Sequence, residues 1–200
     1  MKQPRFSVIV PAHNAAKFIR KGLDSIRHQT FKNYELIIVC DACEDNTVEI
    51  AREYSDIVIE VNNKRLGPTW NTGLDIAQGE WILFMDDDDW FLHEYVFQLI
   101  DSEVGKENED VLLLSFIWKS EGYTTQSVDH YWNAVWCKVW RREFVGDTRA
   151  DETISVAVDK SFTDRVMSKH PALRAKDIPI YYYNYMRKGS ITWLDKRGRI

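Results

Sequence analysis

Nowhere in the 200 residues does an apolar run approach the ~20 residues that a membrane-spanning helix needs; runs such as Val-Leu-Leu-Leu at 111–114 are far shorter. The opening Met1-Lys2-Gln3-Pro4-Arg5 leads straight into a strand-like stretch with no long apolar region behind it, so no secretory signal is expected. Cysteine is scarce. Cys40, Cys43 and Cys137 are too few for a disulfide framework. Cys40 and Cys43 are spaced C-x-x-C, but a structural zinc site needs two further ligands, and neither a second C-x-x-C nor an H-x3-H pair exists. A strand-end thiol and a loop thiol in a reducing cytosol is the expectation, and the cytoplasm the expected location. Basic residues are outnumbered, 26 Lys and Arg against 31 Asp and Glu, and the net charge of -5 argues against bulk nucleic acid as partner. What is present is ordinary globular material: 44% hydrophobic and 28% charged residues, which excludes global disorder. With no repeat and no low-complexity linker, residues 1–200 are expected to form a single domain.

The first half alternates apolar runs with helical patterns, the mark of a mostly parallel sheet. Residues 6–10 form a β-branched run stopped by Pro11, a first buried strand. Ile19, Leu23 and Ile26 recur at i, i+4, i+7, the apolar stripe of a helix. A second buried run covers 34–40, a short helix 48–54, a third strand 56–61, and a helix opened by Gly67-Pro68 ends near Gly79. Residues 81–85 make a fourth apolar run. A helix over about 94–101 and a strand over 111–118 follow. Then the rhythm breaks: 121–134 are polar and aromatic without period, 159–167 look helical, and 178–185 form an aromatic strand-like run. The fold class is α/β.

The fourth run ends in Asp86-Asp87-Asp88-Asp89. Adjacent carboxylates raise one another's pKa and destabilise a fold unless they are solvated or neutralised by a cation. Strand ends of open parallel sheets are where ligands collect. In extended geometry Asp86 and Asp88 share a face, with Asp87 and Asp89 opposite, which offers two carboxylates to one site. An all-oxygen set suits Mg²⁺ or Mn²⁺, with water and substrate phosphates completing the shell. A calcium EF-hand is excluded, because the loop positions that require Gly and Glu would be Phe91 and Phe97.

Laid out in order, these segments resemble glycosyltransferase family 2. Ser7-Val8-Ile9-Val10-Pro11-Ala12-His13-Asn14 is similar to that family's SVIVPAYN opening, and Ser25-Ile26 with Gln29-Thr30 to the end of its first helix. Residues 36–47, LIIVCDACEDNT, lie over its IIVVDDGSxDxT. Gly67, Asn71, Gly73, Ala77, Gly79 and Glu80 fall on its GxxxARNxGxxxAxGE, and residues 84–90 on FLDxDDW. Residues 183–190 resemble its closing YxYxxxxGS. The likeness is tight over residues 6 to about 100 and loose beyond.

The resemblance implies a GT-A fold, with a mostly parallel sheet sandwiched by helices. Residues 1–100 or so would be the nucleotide-sugar half, and 101–200 the acceptor and catalytic-base half. It implies an inverting, metal-dependent transfer from a nucleotide-diphosphate sugar, a UDP-sugar first, to the hydroxyl of a glycan or similar acceptor. Nucleotide contacts fall to Pro11, Ala12, Asn14, Asp41, Lys64, Asp86 and Asp87, with Asp41 accepting from a uracil-type N–H. Metal ligation falls to Asp88 and Asp86, the ion being Mn²⁺ or Mg²⁺. The family's late E-D pair falls nearest Val158-Asp159, which makes Asp159 the expected base, with Asp151 and Glu152 in reserve.

The chain departs from the family at Cys40 in place of an aspartate, Trp70 in place of an arginine and Val158 in place of a glutamate. Lys64 or Arg65 could replace the missing arginine, and Arg187 and Lys188 could close over the diphosphate. Tyr123, Tyr131, Trp132, Trp136 and Trp140 could offer faces to an acceptor sugar, with core packing the expectation for Trp136 and Trp140. His13 is expected to pack or hydrogen-bond, and His130 to lie on the acceptor side. Nucleotidyl transfer is disfavoured, since Pro11-Ala12-His13-Asn14 is not a Gly-rich phosphate loop. A catalytically silent donor-binding module is the alternative that the three departures support.

Overall fold

The computed structural model describes residues 3–120, 122–126 and 134–184. The side chains of 119–126 and everything at Tyr131, Trp132, His130, Arg187 and Lys188 lie outside the described residues, and so do the expectations placed on them.

One sheet organises the chain. Its first half is built from β1 (Phe6–Ala12), β2 (Tyr34–Asp41), β3 (Ile57–Val61) and β4 (Trp81–Phe84), with α1 (Ile19–Arg27), α2 (Thr47–Arg52) and α3 (Leu66–Ile76) between them. Then follow β5 (Trp90–Phe91), α4 (Val96–Glu103), β6 (Val111–Ser120), β7 (Gly122–Gln126), β8 (Lys138–Arg141), α5 (Arg142–Val145), α6 (Val158–Met167) and β9 (Leu173–Tyr183). The strand order is β3-β2-β1-β4-β8-β6-β9-β5, with β7 paired to β6. All pairings among β1 to β4 are parallel; β8 joins β4 and β6 antiparallel, and β9 runs parallel to β6.

Strand alternation divides the core in two. Phe6, Val8 and Val10 of β1, Leu36 and Ile38 of β2 and Leu83 of β4 face α1, α2 and α4. Ile9, Ile37, Val39, Ile82 and Phe84 face α3, α5 and α6. Strands covered on both sides have no polar face to show, which is why they read as unbroken apolar runs. Trp136 and Trp140 are core residues, as expected: Trp136 stacks on Tyr181 at 4.8 Å between centroids, and Trp140 packs edge-on to Phe162.

Some boundaries moved for identifiable reasons. β1 runs through Pro11 to Ala12 instead of stopping at Val10. Pairing with β4 ends at Ile9↔Phe84, so the N–H that proline lacks has no partner to miss there. β5 is two residues long and exists only because Trp90 and Phe91 meet Tyr182 and Tyr181. β9 begins at Leu173, earlier than the aromatic run suggested, because its polar start pairs with β6 on one side only.

Gly79 sits where α3 returns to the sheet. A Cβ there would lie 2.3 Å from the Ser7 amide nitrogen and 2.6 Å from the Phe6 carbonyl carbon. Backbone of a central strand cannot yield cheaply, so Gly79→Ala is expected to cost about 3 kcal/mol in urea unfolding, with the slope unchanged.

Candidate functional site

The carboxyl ends of β1, β2 and β4 lie along one edge of the sheet, and each leads there into a loop. Asp41, the last residue of β2, is 5% exposed and receives four protein donors. Its Oδ1 accepts from the Asn63 and Lys64 amides at 2.7 and 2.9 Å, its Oδ2 from the Arg65 amide at 3.0 Å and the Thr69 hydroxyl at 2.8 Å. Three successive amides on one carboxylate fix the approach to α3, where Lys64 takes a left-handed φ of 55°. The expected duty of Asp41, accepting from a base N–H, thus competes with four donors that already fill its acceptor sites.

Beside it the β1 loop is held by small polar contacts. His13 Nδ1 lies 2.6 Å from the Asp41 carbonyl, and Asn14 Oδ1 accepts from the Glu44 amide at 2.7 Å. Pro11 and Ala12 are buried at the strand end. His13 therefore hydrogen-bonds, as its position suggested. The Cys43 thiol donates to the Ala12 carbonyl at 3.5 Å, and hydrogen bonding with the Cys40 thiol brings it down to about 7. Cys40, Cys43 and Cys137 are all free.

Asp86 to Asp89 do not continue β4. They form a turn in which the Asp89 amide donates to the Asp86 carbonyl at 3.3 Å, so the expected sorting of alternate carboxylates onto two faces does not apply. Each aspartate meets different surroundings. Asp87 Oδ2 accepts from the His13 amide at 3.1 Å, which ties the acidic turn to the β1 loop. The Tyr181 hydroxyl accepts from the Asp86 amide at 3.0 Å and lies beside the Asp89 carboxylate. Asp89 is fully buried: its Oδ1 accepts from the Asn184 amide at 2.7 Å, and its Oδ2 has no hydrogen-bond partner among the described residues. Burial first, and then the neighbouring carboxylates, push Asp86 and Asp89 well above the usual carboxylate range.

From the far half of the chain, Asp159 in the first turn of α6 comes within electrostatic reach of Asp86. Burial lifts its carboxyl to about 6, against hydrogen bonds from its own amide and that of Val135 and the charge of Lys138. Lys138 is a residue that sequence reasoning passed over. It is 2% exposed, donates from Nζ to the Ala134 carbonyl at 2.6 Å, and burial lowers its pKa. A lysine within an aromatic stretch gives no signal of burial; only the pairing of β8 between β4 and β6 puts it inside.

Other candidates lie elsewhere. Asp151 pairs with Arg165 at 2.6 Å, and Glu152 accepts from Asn71 at 2.9 Å, so both are committed away from the acidic turn. Trp70 is fully buried against Phe84 and Phe162. Arg65 donates to the Glu152 carbonyl at 3.0 Å, while the Lys64 side chain is exposed. Among the described residues no three His, Cys, Asp or Glu side chains converge as a ready metal site. The chemistry of the turn nevertheless fits a hard cation, since Mg²⁺ and Mn²⁺ use one or two carboxylates and complete their shell with water and phosphate. No helix among the described residues is long and apolar enough to cross a membrane.

Residues 7–170 match the model of "Glycosyl transferase family 2". Among curated relatives, the Bacillus subtilis protein EpsH, whose name carries the glycosyltransferase designation, is 30% identical over 171 residues, covering 72% of this chain and 49% of that protein. Glycosyltransferase GlyA of Streptococcus pneumoniae is 40% identical over 97 residues, 46% of this chain and 14% of that one. Among solved structures, S. aureus TarS 1-349 in complex with UDP-GlcNAc superposes with a TM-score of 0.83 at 24% identity, covering 94% of this chain and 60% of that one. A mannosyltransferase from Pyrobaculum calidifontis, in complex with GDP-Man and Mn2+, gives 0.76 at 16% identity, covering 98% and 61%. These likenesses establish the GT-A-type fold. The chain spans about half or less of the length of the two curated relatives.

The Asp41 network predicts a stability effect. Asp41→Asn puts an NH₂ where amide donors converge and removes the charge they share, at an expected cost of about 2 kcal/mol. Thermal unfolding without ligand checks this.

Proposed function

This chain belongs to glycosyl transferase family 2, and on that premise we propose that it transfers a sugar, with inversion, from a UDP-sugar to an acceptor hydroxyl. What supports the reading most is that Asp159, at the start of α6, lies within electrostatic reach of Asp86 in the turn after β4, although the two are far apart in sequence. The TarS structures with UDP and UDP-GlcNAc support a uridine donor. Residues up to about 100 serve as the donor half and the remainder as the acceptor half, and the free thiols fit a cytoplasmic setting.

In this reading Pro11, Ala12 and Asn14 line the base and ribose, and Asp41 holds residues 63–65 as the opposite wall, with Lys64 at its rim. Asp86 and Asp87 orient the ribose and diphosphate. A Mg²⁺ or Mn²⁺ ion held by Asp88 and Asp86 supplies neutralisation of the charge that develops on the departing diphosphate. Asp159 takes the proton from the acceptor hydroxyl. A carboxylate poised near 6 is ionised at neutral pH yet basic enough to accept that proton as the bond forms.

The competing reading is a silent donor-binding module. It draws on Trp70, buried where the family has arginine, and on the donors that fill Asp41. Hydrolysis of UDP-sugars separates the two. Metal-dependent UDP binding together with slow UDP-GlcNAc hydrolysis supports transfer; binding without hydrolysis or transfer across a broad panel of UDP-sugars and acceptors supports the module. Failure to bind either UDP or GDP, with the protein folded, sinks both.

Binding of UDP with Mn²⁺ is expected to release protons, because a cation beside the turn lowers the raised pKa of Asp86. Calorimetry in buffers of different ionisation heat measures this release, and Asp88→Ala is expected to weaken the metal-dependent binding by about tenfold or more. For Asp159, kcat/KM for hydrolysis is expected to fall tenfold per pH unit below about 6 and to level off above it. Asp159→Asn is expected to lose about 10²-fold or more in rate while keeping UDP affinity. It is also expected to melt higher than wild type at pH 7.5. A carboxyl whose folded pKa is raised binds its proton more tightly in the native state, so native stability falls as pH rises through that window, and the amide escapes the loss.

A further inference from the structure

Between α5 and α6 the chain crosses residues 146–157 without helix or strand. That crossing sets where Asp159 stands, and its firmest hold is on a different element. The side chain of Asn71, in α3, is 5% exposed. Its Nδ2 donates to the Ala150 carbonyl at 3.1 Å and to Glu152 Oε1 at 2.9 Å, and its Oδ1 accepts from the Ala150 amide at 2.8 Å. A side-chain amide that meets both backbone groups of one residue fixes orientation as well as position, as a neighbouring strand would. Ala150 is itself buried, so loss of these bonds leaves donors and acceptors that water reaches poorly.

Neighbouring contacts tighten the same seam. A Cβ on Gly67, one turn before Asn71, would lie 2.5 Å from the Asp151 carbonyl oxygen, so helix and crossing touch backbone to backbone. Arg65 donates to the Glu152 carbonyl at 3.0 Å, and Arg165 of α6 reaches back to Asp151 at 2.6 Å. The crossing ends at Ala157, whose left-handed φ of 56° is unfavourable for a residue with a Cβ. An anchored segment can impose such a turn; a loose one relaxes it.

We propose that Asn71 is a positioning residue for Asp159: by gripping Ala150 and Glu152 it sets the path of 150–157, and so the place of the first turn of α6 before Asp86. This rests on the reading of Asp159 as the base. Asn71 touches no reacting group. It carries the fixed geometry of the donor half, set at Asp41, into the half that bears the base.

The test compares wild type with Asn71→Ala by amide hydrogen exchange, by UDP titration with Mn²⁺, and by kcat and KM for UDP-GlcNAc hydrolysis. In the variant, exchange over 150–158 is expected to accelerate about tenfold or more while β1 and β2 stay protected. UDP affinity is expected to stay within about twofold and KM to hold, while kcat falls about a hundredfold, the scale of a misplaced catalytic group. Asn71→Asp is expected to behave like the alanine variant, and adding Glu152→Gln to it to recover part of kcat, since the glutamine amide can donate to the new carboxylate. Exchange over 150–158 at the wild-type rate, or wild-type kcat, overturns the assignment, and so does a loss of UDP affinity as large as the loss of kcat. A wild type that neither binds UDP nor hydrolyses UDP-GlcNAc sinks the transferase reading instead, and exchange alone then decides whether the clamp exists.

Discussion

A single carboxylate at the end of β2 collects the amides of Asn63, Lys64 and Arg65 and the hydroxyl of Thr69. Through Asp41 the sheet dictates where α3 begins. Through Asn71 that helix holds the segment leading to α6. The loop after β2 and the segment leading to α6 are therefore not independent. Replacing a strand-end carboxylate in such a position disturbs more than its own contacts, because charge-assisted bonds to several amides act together and fail together.

Electrostatics pull the other way. Asp86, Asp89 and Asp159 are crowded in a partly desolvated place, and each is pushed upward in pKa by burial before any neighbour acts. A fold selected for stability alone would not gather them. Raised carboxyl pKa values of this kind cluster at functional sites more than in structural ion pairs. The aromatic packing of Phe91, Trp136 and Tyr181 on one side and of Trp70, Phe84 and Phe162 on the other keeps the acidic turn in place. Apolar burial elsewhere offsets what the acids cost.

Family likeness is distributed unevenly, and the structure indicates why. The first half of the chain uses short motifs at strand ends, where one residue at one spacing does one job. The second half uses antiparallel pairings and a crossing without regular structure, whose residues work through contacts and not through local spacing. Trp70 illustrates the difference: at an arginine position of the family motif, it packs against Phe84 of β4 and Phe162 of α6.

The sequence by itself determined the α/β class, the central buried strands, the amphipathic α1 and the acidic strand end, because each is written in neighbouring residues by periodicity or by composition. Its likeness to the family made Asp159 a candidate base. Tertiary structure alone decided the rest. It folded the four aspartates into a turn, filled the acceptor sites of Asp41 with protein donors, buried Lys138 beside Asp159, created β5 by pairing with β9, and joined Asn71 to Ala150. Apart from the turn's own Asp89–Asp86 bond, the deciding partner lies elsewhere in the chain, and the environment that sets a side chain's charge, burial and hydrogen bonds exists only once the sheet has brought those partners together.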